Sequence, residues 1–455
     1  MSGLTAALAH FVADPGIDVL SDDLLRLVKP GFIDSVATML AGRDEPVVGV
    51  VRKFAAARRS ALQESRLLFG KDHISAADAA LINATAAHAL DYDDVALAGH
   101  PSAVLVPAIL SAGEPLGVSG MTALRAYLVG YEVWAELLSR EPAPYHVKGW
   151  HPTAVLGTVG AAAAVAHVHG LNVTQVTNVL SIAASMASGL VANFGTMTKP
   201  LHAGRAAACA IDAVGLAVAG LTAAPDIFEH HAGFLAALSP SGQAERSAPA
   251  ASLGRQWRIL DTGLSIKRYP MCYATHRIID GVLALVTEHD LRPAQIVQVY
   301  PRVGVAQASM LRNHAPVSGL EAKFSLEFAV AAAVVERRVG LRELTDACVN
   351  QPGVREMMQR VTISTADTVC PIEPVFAYTD RVELELVDGR RLDSGEIRFP
   401  KGNSKLPLSD EELKTKFYDC TADVKDIDAP ALYKQLAALE SLDNVCQLEH
   451  GTNEI

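Results

Sequence analysis

Thr153-Ala-Val-Leu-Gly-Thr-Val-Gly-Ala-Ala-Ala-Ala-Val-Ala-His-Val-His169 is Ala- and Gly-rich and carries no Asp, Glu, Lys or Arg. Its His167 and His169 would be costly in lipid, so it reads as a buried helix of a soluble protein rather than a membrane span. Small side chains at this density suit helices that pack closely on one another. Alanine is abundant along the chain and aromatics make up only 5%, which favours packed helices over a β-sandwich.

Outward from this stretch, no Asp or Glu occurs between Glu141 and Asp212, although the formal net charge of the chain is -11. The same acid-free span gathers Lys148, His151, Lys199, His202 and Arg205 at Gly/Pro-rich turns. Local potential decides what a cleft binds, so an acidic protein that withholds acids where it collects cations is building a pocket for an anion. The global acidity, with a pI near 5.8, argues against a nucleic-acid partner, which needs a basic face.

A length of 455 residues makes two domains the default. Mean hydropathy of +0.22 with 20% charged residues points to a large core plus a substantial subunit interface. The six cysteines, Cys209, Cys272, Cys348, Cys370, Cys420 and Cys446, form no Cys-x-x-Cys pair. No secretory signal precedes the body, so a reduced, cytoplasmic setting is expected.

Helical signals dominate the first half. Ser21 precedes Asp22 and Asp23, and Leu25, Val28, Phe32, Val36 and Leu40 follow at helical spacing. Ser75-x-x-Asp78 has capping-box spacing, Asn172 or Thr174 starts another helix, and a long Ala-rich helix is expected over 201–221. Residues 239–254 read as a surface loop. The texture then changes. Strands are expected over 296–300, 303–305 and 361–363, and over 381–387 before an Asp388-Gly389 hairpin turn. Helices lie between them, over 276–289 and 325–339. Ser409-x-x-Glu412 returns the chain to helix. The fold class expected is therefore mainly α: a large all-helical domain (1–265), a smaller inserted α+β lid with an antiparallel sheet (266–400), and a C-terminal segment (401–455) that rejoins the helical domain.

The chemistry sits at helix mouths. His100-Pro-Ser-Ala-Val-Leu105 echoes His151-Pro-Thr-Ala-Val-Leu156, Lys199-Pro200 repeats the theme, and Thr275-His276 opens a further helix. A helix N-terminus favours anions and keeps a nearby imidazole neutral, able to act as a base. The plainer reading of any single His before a Pro is a local cap; four such mouths are harder to attribute to capping alone. His202 and Arg205 are i,i+3 neighbours that can share a face. Asp91, Asp93 and Asp94 follow a helix C-terminus, where the dipole disfavours acids, so they call for a cationic partner or a task; a solvated turn competes as the reading of Asp93. Lys267 and Arg268 precede Cys272 and would lower its pKa, against a reading of Cys272 as a small buried hydrophobe. His167, His169, His230 and His231 read as structural or surface residues. No metalloprotease, dinucleotide or Walker pattern appears, so neither a metal nor an organic cofactor is expected.

Taken together, six pieces resemble the MmgE/PrpD family: His88-Ala-Leu-Asp-Tyr-Asp-Asp94, Gly99-His-Pro-Ser102, Gly149-Trp-His-Pro-Thr-Ala-Val-Leu-Gly157, Thr198-Lys-Pro-Leu-His-Ala-Gly-Arg205, Lys267-Arg-Tyr-Pro270 with Ala274-Thr-His276, and Glu321-Ala-Lys-Phe-Ser325. They run in the family's order through most of the chain. The resemblance implies a cofactor-free homodimer acting on a small di- or tricarboxylate of the citrate or aconitate type, as a dehydratase or decarboxylase, with an epimerase or isomerase, or a non-catalytic carboxylate binder, as alternatives. It implies an active site between a helical domain and a lid, lined by Asp91, His100, His151, Lys199, Lys267, Cys272 and His276. His202, Arg205 and Lys323 join Lys267 as candidate substrate-binding residues, no metal ligand is expected, and neither a membrane nor a nucleic acid is a partner. Met271 stands where many members carry the first of two adjacent cysteines, and Cys272 where others carry His.

Overall fold

The computed structural model describes residues 3–448 apart from 59 and 374. The chain forms two compact units, Met1–Ile266 with Asp410–Ile455, and Lys267–Ser409. The architecture is mainly helical with a smaller α+β part.

In the first unit, among the described residues, the longer helices of the N-terminal part follow in order: α1 Leu4–Ala13, α2 Asp22–Ala41, α3 Pro46–Ala57, α4 Ala76–Ala89, α5 Pro101–Gly113, α6 Gly120–Ser139, α7 Pro152–Val168, α8 Val173–Met186 and α9 Thr198–Val218. Their starts are written locally. Ser21 and Ser75 accept from the backbone N–H three residues on, and Asn172 and Gln175 form a capping box. Proline opens α5 and α7 at the first turn, where its missing N–H costs nothing. In α7 every residue but His167 is buried, and His167 Nδ1 lies 3.0 Å from the Val12 carbonyl oxygen. Each buried Val or Leu there contributes about 1.5–3 kcal/mol relative to exposure.

Helix α9 packs on α4 and α7. Gly204 makes this possible, because a Cβ at that position would collide with the Leu81 carbonyl and the Thr85 hydroxyl of α4. Among the described residues α9 is the one helix long and apolar enough to cross a membrane, and most of its apolar window is buried in the fold. It begins earlier than the 201–221 reading, so Pro200 lies within its first turn and Lys199 is part of the helix. The C-terminal helices Asp410–Thr421 and Ala429–Ala437 pack on α2.

The second unit holds a four-stranded sheet: β1 Ile296–Gly304, β2 Ser364–Ala366, β3 Arg381–Leu386 and β4 Arg391–Asp393, in the order β2-β1-β3-β4. β3 pairs antiparallel with β1 and β4. β2 pairs parallel with β1, through Arg302 to Ser364 and Gly304 to Ala366, so the sheet is mixed where an antiparallel one was expected. The cause is the helical crossover between β1 and β2, which carries the chain back to the same end. Helices His276–Glu288 and Leu326–Val335 supply its core with Ile278, Val282 and Phe328, against Val299 and Leu384 of the sheet.

Candidate active site

Helix α4 ends at Ala89, and Asp91 turns the chain with φ 52, the left-handed position that follows many helices. For a non-glycine residue this costs about 1–2 kcal/mol. The chain then makes a tight turn in which Leu97 and Ala98 also have positive φ, closed by paired backbone bonds between Ala96 and Gly99. Gly99 is required there: a Cβ would stand 2.9 Å from both the Thr153 hydroxyl and the Trp134 ring. The turn delivers His100 against the start of α7, where its backbone N–H donates to Thr153 Oγ1 at 3.2 Å.

Asp93 is the hub. Its carboxylate accepts from His88 Nδ1 at 2.9 Å and lies 3.0 Å from His100 Nδ1, which also faces the Asp94 carbonyl oxygen at 2.9 Å. Every polar neighbour of these two Nδ1 atoms is an acceptor. Nδ1 therefore carries a hydrogen in both rings. Burial opposes the charge on Asp93, but the imidazoles of His88 and His100 override it and hold the carboxyl well below its ordinary range. The reading of Asp93 as a solvated turn residue is thus corrected: it is fully buried, because α4 and the turn wrap both histidines around it. Asp94 is buried beside it, accepts from the Ser102 backbone N–H at 3.2 Å and hydroxyl at 2.9 Å, and is pushed well above the usual carboxylate range by burial and by Asp34 and Asp93.

Lys199 reaches in from the first turn of α9. Its Nζ donates to Asp91 Oδ1 at 2.7 Å, and His100 Nε2 lies 3.8 Å from the same oxygen. His151, before Pro152, has its Nδ1 3.1 Å from His202 Nδ1, with one donating to the other. Phe194 closes this side, 4.8 Å from the His151 ring and 5.4 Å from the Lys199 ammonium. Burial pushes His151 far down, helped by His88, Lys199, His100 and His202. Burial also brings His88 down to about 4 and lowers His146 and His202. Neutral imidazoles were expected from helix dipoles; burial is the larger cause.

The structure thus gathers Asp91, His100, His151, Lys199 and His202, and adds His88, Asp93, His146 and Phe194. The first two of these additions stand in the same heptapeptide as Asp91; Phe194 lies in a Gly/Thr-rich loop with no pattern to mark it. Arg205 is not gathered. It is exposed, and its Nη2 contacts Cys209 Sγ at 3.2 Å along α9. Residues three apart on a helix lie about 60° from each other, and here the edge of the buried face falls between His202 and Arg205.

In the second unit Lys267, Lys323 and His276 are buried. The Cys272 backbone N–H donates to the Lys323 carbonyl at 2.9 Å, which seats these two residues together. His276 Nε2 lies 3.2 Å from the Met271 carbonyl, and the ring stands against Tyr269 and Tyr273.

His88, Asp91, Asp93 and His100 each offer one ligand-capable atom within 4.8 Å of one another. A cation there would have to displace the Lys199 ammonium from Asp91 and the two N–H donors from Asp93. The donor set fits a hydrogen-bonded acid–base cluster better than a metal centre. Such a cluster can hold a carboxylate against an ammonium and move protons through neutral imidazoles.

Residues 6–247 match the MmgE/PrpD N-terminal domain and residues 269–436 the MmgE/PrpD C-terminal domain. The cis-aconitate decarboxylase of Homo sapiens is 27% identical, across 98% of this chain and 93% of its own. That of Mus musculus is 28% identical, across 92% and 86%, and that of Aspergillus terreus 24% identical, across 93% and 90%. With both domain models matched along most of its length, the chain belongs to the MmgE/PrpD family.

Proposed function

We propose that this protein is a lyase that decarboxylates a small unsaturated tricarboxylate of the cis-aconitate type, without a cofactor and as a homodimer. One observation carries the reading: a half-buried ammonium, Lys199, shares a site with the neutral imidazole of His151 and the Asp93-oriented imidazole of His100. The names of the relatives support the choice of reaction. Exposed Leu216, Val218 and Leu221 at the end of α9 support association with a second copy.

A substrate carboxylate would take the place of Asp91 on the Lys199 ammonium, an exchange of one anion for another. The carbon–carbon bond to a second carboxylate breaks and its electron pair enters the conjugated framework. Carbon dioxide leaves, and the carbon takes up one proton drawn from solvent and relayed through an imidazole, so that one proton is consumed for each carbon dioxide released. Lys199 stabilises the charge that develops. The same groups would serve dehydration, with the neutral imidazole removing a proton α to a carboxylate before hydroxide departs as water.

The test is to incubate purified protein, before and after chelation and gel filtration, with cis-aconitate, citrate and 2-methylcitrate. Carbon dioxide release from cis-aconitate, undiminished by chelation, is expected. Water loss from citrate or 2-methylcitrate would move the assignment to a dehydratase. Deuterium uptake from heavy water without net conversion would make it an epimerase, and saturable binding without turnover a carboxylate-binding protein.

A further inference from the structure

We propose that Lys416, on the C-terminal helix Asp410–Thr421, is a positioning residue that sets the Asp91–Asp94 turn and through it His88, His100 and Lys199. Lys416 is buried inside the helical unit. Its Nζ donates to the Tyr92 carbonyl oxygen at 2.8 Å, across a sequence separation of 324. The same ammonium lies 2.5 Å from Asp34 Oδ1 on α2 and 4.0 Å from the centre of the Tyr92 ring. Three elements remote in sequence therefore meet at one charge, and Tyr92 stands between Asp91 and Asp93.

The turn needs such a restraint. It leaves α4 beyond the last helical hydrogen bonds, where carbonyl groups lack partners, and Asp91 is held at positive φ. A movement of the Tyr92 peptide displaces Asp91, the partner of Lys199, on one side. On the other it displaces Asp93, the partner of His88 and His100. Stability alone does not account for the arrangement. A buried ion pair contributes little over a well-packed apolar pair of the same volume, whereas it does fix geometry. Both charges are fully enclosed, so the pair belongs to the machinery that shapes the turn. Lys416 lies within the stretch matched by the C-terminal family domain, yet folds into the helical unit.

The kinetic part of the test rests on the proposed decarboxylase; the spectroscopic part does not. Full-length wild type, Lys416→Met, Lys416→Arg and the double variant Lys416→Met/Asp34→Asn, which leaves no unpaired buried charge, are compared by thermal melting and by NMR of 15N-histidine-labelled protein. In the folded Met variants the His88 and His100 ring resonances should shift, while that of His314, in the other unit, stays in place. On cis-aconitate, kcat should fall about tenfold to a hundredfold with KM within about threefold, the pattern of misplaced reacting groups, and Lys416→Arg should recover part of it. A folded double variant with wild-type His88 and His100 resonances overturns the proposal. So does unfolding of both Met variants, which would make Lys416 a stability element. If wild type turns over no carboxylate, the decarboxylase reading fails, and the resonances still decide the role of Lys416.

Discussion

His100 and His151 each stand before a proline at the first position of a buried helix, within hexapeptides that differ only in Ser102 against Thr153. His100 Nδ1 faces acceptors, the Asp94 carbonyl and the Asp93 carboxylate, so its proton is fixed. His151 Nδ1 faces another imidazole, His202, and the ring packs against Phe194; burial, then His88, Lys199, His100 and His202, disfavour its protonated form. The difference comes from what distant elements bring: the acidic turn after α4 to one mouth, the first turns of α9 to the other. Local sequence sets where a helix starts, and tertiary partners set what the histidine at its mouth can do.

The contrast breaks most completely at Asp93. In Asp93→Asn one acceptor oxygen becomes an NH2 donor, which faces His88 Nδ1 if it takes the Oδ1 position and both Nδ1 atoms if it takes Oδ2, so at least one imidazole must change tautomer or move. Loss of an orienting carboxylate of this kind in a serine-protease triad costs about 10⁴ in kcat. A fall of about a thousandfold is expected here, with the fold retained, and steady-state kinetics reads it. Turnover within tenfold of wild type would show that the His88 and His100 tautomers do not matter.

His151→Ala should lower kcat by about a hundredfold with a smaller change in KM, since a positioned neutral base is lost. Near-normal kcat in this variant would make His151 a helix cap and pass the role to His100 or Asp91.

The buried neutral imidazoles also tie stability to pH. His88 sits at about 4 in the fold against an ordinary 6.5. The unfolded chain therefore takes up this proton first as pH falls, and stability declines from about pH 6.5 towards pH 4, with no contribution above that window. The loss from His88 alone is roughly 2–3 kcal/mol by pH 4.5. Urea midpoints at pH 7 and pH 4.5 measure it, and His88→Asn should show a shallower decline. Equal slopes in the two proteins would mean that His88 is not the group being charged.

Lys199→Ala removes an ammonium that a substrate carboxylate would use. A charge-assisted bond of this kind contributes about 1.5–3 kcal/mol, so KM should rise about tenfold or more while kcat falls less. Because Lys199 pairs with Asp91 at 2.7 Å, Lys199→Ala also leaves a carboxylate that repels the substrate. The double change Lys199→Ala/Asp91→Asn should then recover part of the KM. A kcat loss larger than the KM rise would assign Lys199 to proton transfer.

Much of the fold could be read from local patterns. Uniformly small apolar residues announced α7, cap residues announced the starts of α2, α4 and α8, and strict alternation announced the strand Arg381–Leu386. Signals that depend on remote partners could not be read. The burial of Asp93 follows from His88 and His100 closing around it, and an acid after a helix C-terminus looks the same in water as in a core. The parallel pairing of Ser364–Ala366 follows from the crossover, not from three residues of strand. Phe194 and Lys416 reach the cluster from a loop and from a helix far along the chain, and neither carries a local mark. In the second unit the buried states of Lys267, Lys323 and His276 belong to the same class: their sequence neighbourhoods mix polar and apolar residues, and only the packing encloses them.

Arg205 supplies the smallest expected effect and the sharpest limit on reading by spacing. It follows His202 by three positions on α9, and with Lys199 it looks like a second cation for the same anion. His202 turns inward to His151, whereas Arg205 is exposed and lies along the helix against Cys209. Asp212 lies near enough to feel its charge. An exposed guanidinium of this sort contributes at most about 1 kcal/mol to stability, and from this position it has no purchase on the imidazole cluster. Arg205→Ala should therefore leave both kcat and KM within about twofold of wild type, next to the tenfold rise in KM for Lys199→Ala. Measuring both variants on the same substrate separates the two cations. A KM rise for Arg205→Ala comparable to that of Lys199→Ala would show that the guanidinium swings into the site when substrate binds, and would return Arg205 to the set of substrate-binding residues.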